Sequence, residues 1–407
     1  MKPPSRKSQQ GVALLMVLIA LTILGSMTAD LMETNEVYLS TTVNARDATR
    51  AEYLARSGVN LSRLILSFQR VLGSTLNFPF WKYADLVIEM FVDSEGGGML
   101  ADLAGINLSG VEGLGLGIKD ADLKVTIIDE DSKINVNLAN DMGRGNMRKR
   151  MIDQLMALMA HPVYDPLFDR VLKGGVTVER EDVVCEILDF ADPDEDLCDL
   201  TGSEDPSYYQ ALEPAYERKN APFDSLMELH LVRGIDDDFW SAFVEANIED
   251  PDTRVMTIWG KGRVNVNTAP TQVLMPLVCM LAADPSGVSP CGDPIQLGNL
   301  YGILQAVVFI RTFMPFSRAR DFIAAIENPE QRLFLPLPGF PVAGKRMARN
   351  VLTTKSTVFS VYAEGTVGRV TKRIHTVIDT KREDMLMLDP SETVAAAGGK
   401  VLYWRME

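Results

Sequence analysis

Seven carboxylates crowd the segment from Asp192 to Asp205, and no other residues in this sequence are better suited to hold a cation. Asp192, Asp194 and Asp196 alternate, and Asp199, Glu204 and Asp205 follow. Calcium takes roughly six to eight oxygen ligands, several of them carboxylates on a pliant loop. The alternating aspartates supply three. The sixth and twelfth positions of the segment are Leu197 and Ser203, where a helix–loop–helix calcium loop needs Gly and Glu. This is therefore not such a loop. A plain solvated acidic loop is the competing reading, and the residues alone leave both open.

The other candidates for chemistry are few. Cys185, Cys198, Cys279 and Cys291 form two locally spaced pairs, with no C-x-x-C and only three histidines, so zinc is not indicated. Local pairing closes the smallest loops and is expected wherever the compartment oxidises thiols; buried free thiols are the alternative. No G-x-S-x-G, P-loop or H-E-x-x-H appears, so no enzyme is expected. The net charge of −15 disfavours a phosphate-binding surface, and no nucleic-acid partner is expected.

The N-terminus says which compartment the rest occupies. Lys2, Arg6 and Lys7 precede Gly11, and an uncharged run extends from Val12 to Ala29. As a helix that run spans about 27 Å, close to a bilayer core. Basic residues before a span stay cytoplasmic, so the bulk of the chain is expected to face outward from a single span. A cleavable signal peptide fits poorly, because Met27 is too large for the small-x-small site. No proline interrupts the chain between Pro4 and Pro79. Leu54, Gly58, Leu61, Ile65 and Phe68 recur at helical spacing, predicting one long helix with an apolar stripe beyond the membrane.

A short basic leader ending in glycine and followed at once by an apolar helix resembles the class III signal of type IV pilins and pseudopilins. The segment Ala51 to Leu64, AEYLARSGVNLSRL, is similar to one these proteins carry further along the same helix. That resemblance implies cleavage after Gly11 by prepilin peptidase and methylation of the new amine on Val12. Most pilins have Glu at the fifth mature position; here it is Met16. An apolar residue there is typical of the K-type minor pseudopilin of type II secretion. The order of elements beyond the anchor also resembles that family. It runs from a D-x-x-x-K-I-N-V-N element (Asp129 to Asn137), through an acidic segment with paired tyrosines (Leu188 to Gly234), to N-V-N-T-A-P (Asn265 to Pro270).

The resemblance implies an α+β fold, with a pilin-like long N-terminal helix packed on a small antiparallel sheet and a large, mostly α-helical insertion. Alternation predicts strands at Ala121 to Glu130, Thr357 to Glu364 and Arg369 to Thr380, the last two joined through Gly365 and Gly368. Helix is expected to about residue 92, and a Gly-rich stretch follows. The expected organisation is a leader over 1–11, a membrane segment over 12–29, and the rest of the helix with the first part of the pilin layer over 30–139. Two related helical units follow over 140–355, then the last strands over 356–380, and a tail over 381–407 that is either a disordered end or an extra packed segment. The relatedness rests on KINVNLA (Lys133 to Ala139) and RVNVNTA (Arg263 to Ala269), whose asparagines are expected to cap backbone.

The family likeness further implies calcium on the acidic loop and no catalysis. Its implied function is to start assembly of the pseudopilus at its tip and so support export of folded proteins across the outer membrane. The implied partners are the I-type and J-type minor pseudopilins, other pseudopilins and the inner-membrane assembly platform. Met16, Leu54, Leu61 and Ile65 are expected to face the helices of partner subunits. A minor pilin of a type IV pilus is the nearest rival, which the Asn-x-Asn insertion disfavours. A membrane-anchored DNA-uptake protein is another, because Leu231 to Ile235 and Leu337 to Phe340 resemble helix-hairpin-helix turns. The three aspartates Asp236 to Asp238 would repel a phosphate at the first of these.

Overall fold

The computed structural model describes residues 9–76, 79–84, 121–139, 146–168, 178–194, 198, 207–247, 250–283, 288–381 and 399–407. Chain order sets the elements used below. Helix α1 is Gln9–Leu76, and strands β1 (Ala121–Asp129) and β2 (Ile134–Asn135) follow. Helices α2 (Asn146–Met159) and α3 (Arg180–Ala191) precede β3 (Met256–Thr257) and β4 (Val264–Asn265). Then come α4 (Thr271–Ala282), α5 (Pro294–Ile310), α6 (Ala319–Glu327), α7 (Lys345–Val351) and β5 (Leu352–Thr353). Strands β6 (Val358–Val367), β7 (Val370–Asp379) and β8 (Lys400–Met406) close the chain.

Helix α1 has two environments. Residues 12–42 are exposed along their whole length, and this is the one helix among the described residues long and apolar enough to cross a membrane. From Asp47 onward one face is buried against an antiparallel sheet of order β1-β6-β7-β8. Ala55, Val59, Ile65 and Leu66 of α1 meet Val125, Ile127, Phe359, Val361, Ala363, Ile374 and Ile378 in one apolar core. Two glycines permit the close approach. A Cβ on Gly58 would meet Leu123 and Val125 side chains at 2.9 Å, and one on Gly365 would meet the Ala51 carbonyl oxygen at 2.4 Å.

One expectation changes here, and the tail takes one of its two open alternatives, the extra packed segment. Gly365 lies inside β6, paired with Leu123 and Lys372, and Gly368 with φ of +59° makes the turn into β7. The tail contributes a fourth strand, β8, paired antiparallel to β7. Helix α1 ends at Leu76 and a 3₁₀ turn spans Phe80–Tyr83; the rest of the helix expected to about residue 92 and the Gly-rich stretch lie outside the described residues.

Between β1 and β6 stand two helical units built on one plan. In the first, β2 pairs in parallel with β3 and encloses α2 and α3; in the second, β4 pairs in parallel with β5 and encloses α4 to α7. Each unit is thus closed by its own first and last strand. Apolar residues of both units merge in a single core, with Met151 and Leu155 of α2 and Leu274 and Leu277 of α4 fully buried. The expected α+β architecture, a pilin-like layer carrying a helical insertion, is the observed one.

Candidate functional site

The polar elements named from sequence converge where β1 leaves the sheet. Asn135 accepts from the Asn137 N–H at 2.7 Å and donates to the Gly260 carbonyl at 2.7 Å. Asn137 accepts from the Phe223 N–H and donates to its C=O, both at 2.8 Å, and also donates to Ile258 O at 3.2 Å. The second unit repeats this geometry. Asn265 accepts from Asn267 N–H at 3.0 Å, while Asn267 accepts from Phe316 N–H at 2.8 Å and donates to Phe316 O at 2.9 Å and Thr354 O at 3.2 Å. The asparagines do more than cap. Each clamps a distant loop, with its own Pro–Phe dipeptide (Pro222–Phe223 and Pro315–Phe316), onto the parallel strand pair.

Asp129, Glu130 and Asp131 tie both units to the sheet. Asp129 accepts from Thr268, Ser356 and Asn265 of the second unit and its surroundings. Glu130 accepts from Ser360 of β6 at 2.6 Å and from Thr257 of β3, with buried Lys133 at 3.4 Å. Asp131 accepts from the Thr357 and Val358 N–H groups at 2.6 and 3.3 Å. Burial, then the neighbouring Asp131, pushes the Asp129 carboxyl up to about 7. Burial also raises Asp131. Glu130 goes down: its burial acts to raise it, but Lys133 and the Ser360 and Thr257 hydroxyls outweigh that. The buried carboxylate trio joins the layers. Only Asp129 was singled out in the sequence, as the head of the Asn-x-Asn element.

The acidic Tyr-Tyr segment closes on a second buried acid. Glu186 of α3 accepts from the Tyr209 hydroxyl at 2.9 Å and from Arg218 and Arg233 at 3.3 Å each. The guanidinium of Arg218 lies over the Tyr209 ring and that of Arg233 over the Tyr208 ring, both at 5.1 Å. At the adjoining hairpin the Asp236 carboxylate accepts from the Phe239 N–H at 3.0 Å, so the helix start a phosphate would use is capped by the chain's own acid.

Both local disulfides are present, Cys185–Cys198 and Cys279–Cys291, with Cα separations of 5.2 and 5.7 Å. The first fastens the acidic loop to α3. At the loop's start Asp192 is fully buried, meets Arg148 at 2.9 Å, and has its Oδ1 enclosed without a hydrogen-bond partner. Burial first, then the nearby Asp194, moves its carboxyl up to about 6 against the opposing pull of Arg148. An enclosed, unsatisfied carboxylate oxygen with a second acid beside it fits part of a calcium shell. Asp196, Asp199, Glu204 and Asp205 lie outside the described residues, and among the described residues no three acids, histidines or cysteines form a group that could hold a metal ion.

The helix stripe requires a correction. Leu54 and Ile65 are 2 % and 4 % exposed, and Leu61 is partly buried, because all three pack against this chain's own sheet. They cannot at once face partner helices. Met16, by contrast, is 65 % exposed, and Tyr53 and Leu64 are exposed on the opposite side of α1. Val12 is exposed at the start of the apolar run, and Gly11 lies within α1.

A long helix on an antiparallel sheet, with an apolar N-terminal half left bare, defines the pilin-like class. Residues 132–243 match the family described as type II secretion system (T2SS), protein K. That segment, which carries β2, α2, α3 and the Tyr-Tyr cluster, is similar to the protein K family. No curated protein matches the chain. Among solved structures it is similar to a chain in the crystal structure of the GspK-GspI-GspJ complex from the enterotoxigenic Escherichia coli type 2 secretion system. The identity is 15 % over 90 % of this chain and 99 % of that chain, with a TM-score of 0.48.

Proposed function

We propose that this chain is a minor pseudopilin that occupies the tip of a type II secretion pseudopilus and starts its assembly. The observation that supports this most is the contrast within α1. Residues 12–42 bury nothing, whereas the C-terminal half carries the sheet and, through Asp129 to Asp131, a bulky helical insertion. A bare apolar half-helix needs a bilayer or other helices around it. An insertion of this size is hard to repeat along a narrow filament, and a tip position needs only one copy. Met16 supports the same position, since a first subunit has no preceding amine for a carboxylate to meet.

In this reading prepilin peptidase cuts after Gly11, and the subunit then sits in the inner membrane with its N-terminus cytoplasmic and its bulk periplasmic. The platform extracts it together with I-type and J-type minor pseudopilins, which meet the bare part of α1 and its exposed outer face. Calcium on Asp192 and Asp194, with Asp196, Asp199, Glu204 and Asp205 as further donors, would neutralise the loop and hold it folded. The role is structural and no catalytic step is part of it. The decisive experiment deletes the gene while the major subunit is overproduced and counts filaments. Few filaments of normal width are expected. Filaments as abundant as in the parent strain, or this subunit labelled regularly along them, would sink the proposal.

A further inference from the structure

The sheet ends at β8, and among the described residues no strand pairs with its outer edge. Glu407 and Arg373 exchange both main-chain bonds, at 2.9 and 3.1 Å. Bonded and non-bonded pairs alternate in an antiparallel ladder, so the N–H and C=O groups of Trp404 and Met406 point away from β7. Natural sheets guard such an edge with charge, proline or a cover. Here Val401, Leu402, Trp404 and Met406 are 39, 38, 43 and 43 % exposed.

Beside this edge, between the first helical unit and the sheet face opposite α1, is a cavity of about 260 Å³. Its walls are rings: His375 stacks on Tyr362 at 4.2 Å, and Tyr403 of β8 lies 5.2 Å from His375 and 6.1 Å from Trp259. Its guanidinium groups already have acids, Arg254 with Glu245 at 2.6 Å, Arg373 with Glu364 at 2.8 Å and Arg405 with Glu407 at 3.0 Å. What the cavity offers an incoming group is π surface rather than unpaired charge.

We propose that β8 is a docking edge for an extended segment of a partner protein. The segment adds a fifth strand at Trp404 and Met406 and seats an aromatic side chain against Tyr403 and Trp259. Strand addition draws affinity from main-chain bonds and selectivity from a pocket met by alternate side chains, and β8 has both side by side. Antiparallel pairing of two copies at this edge would point their α1 helices in opposite directions, which two helices entering one bilayer from the same side cannot do.

The test uses the full chain in nanodiscs. Hydrogen exchange of the free protein should show the Trp404 and Met406 amides exchanging as unprotected groups. If they are already protected, another part of the chain or a second copy covers the edge and the proposal fails. A fluorescein-labelled peptide, Lys-Val-Phe-Val-Phe-Val-Lys, should then bind and slow exchange at those two amides. Met406→Pro, which removes an outward donor and leaves the β7 bonds intact, should weaken binding about tenfold, as should Trp259→Ala. Thermal melts check that both variants stay folded. No binding by the wild-type protein at about 1 mM, equal binding by both variants, or equal binding of the backbone N-methylated peptide would each overturn it.

Discussion

Asn137 holds both backbone groups of Phe223, a residue 86 positions further along the chain, through its own side-chain amide. Replacing it by Ala leaves an N–H and two carbonyls unpaired in a half-buried site. The expected cost is about 2–3 kcal/mol, and the same substitution at Asn267 should cost about as much because the geometry repeats. Chemical or thermal unfolding of the two variants checks this. A difference between them of more than about 1 kcal/mol would mean that the two units are not energetically equivalent.

Gly365 has no room for a side chain where α1 crosses β6. Gly365→Val should destabilise the pilin layer by about 3 kcal/mol, the upper part of the range for overpacking, since the clash is with the backbone of Ala51 and Ala55. Near-wild-type melting would show that α1 can lift from the sheet at little cost.

Stability should depend on pH through two buried groups of opposite sign. Asp129 titrates near 7 in the folded chain against an ordinary 3.8, so between these values the folded state holds a proton that the unfolded chain has lost. Its effect is to raise stability as pH falls through that window. Burial takes His375 down to about 4 from 6.5, so its contribution is present above pH 6.5 and is lost as pH falls through 4. Asp129→Asn removes only the first term. The melting temperature of the variant minus that of wild type should therefore fall as pH is lowered from 7.5 to 4.5. A difference independent of pH would show that Asp129 does not titrate there.

Calcium should raise the melting temperature of the wild-type chain, since a ligand of the folded state stabilises it by mass action. Asp192→Asn should remove most of that rise. Without calcium the variant should melt no lower than wild type near neutral pH, because burial disfavours the charge on Asp192. No rise with calcium in the wild-type protein would dismiss the site.

Processing is the simplest check on the anchor. Gly11→Arg should leave a precursor that migrates more slowly on a gel, and Met16→Glu should leave assembly unchanged or impaired. An unpaired carboxylate in the bilayer costs about 2.5–3.5 kcal/mol on insertion scales. Equal cleavage of Gly11→Arg and wild type, or better assembly with Glu at Met16, would contradict the leader and the tip position respectively.

Much of this fold was readable from local pattern, and the exceptions have physical reasons. Strands β1, β6 and β7 alternate because one face meets α1. Strand β8 has no such alternation: its run Val401 to Trp404 is apolar on both faces, so period two is lost. The stripe at Leu54, Leu61 and Ile65 announced a buried face correctly, yet spacing cannot say whose surface covers it. Both Asn-x-Asn elements were visible as a repeat, while the loops they grip lie 86 and 49 residues away. The recurring Pro–Phe dipeptide was the one signal that could have located those loops. Glu186 and Asp131 were hidden among the many acids of a chain with net charge −15.

The bare length of α1 also fixes a height. Where Val12 to Ala29 spans a bilayer, the stretch from Asp30 to Arg46 stays exposed at every residue but the half-buried Val43 before Asp47 is buried. At the helical rise that stretch is about 26 Å. An upright α1 therefore works as a mast, with the folded head standing that far above the lipid surface before anything has bound it. A protein that grips the head while the anchor is still in the membrane must carry a mast of similar height. One with a short linker would reach only the bare shaft.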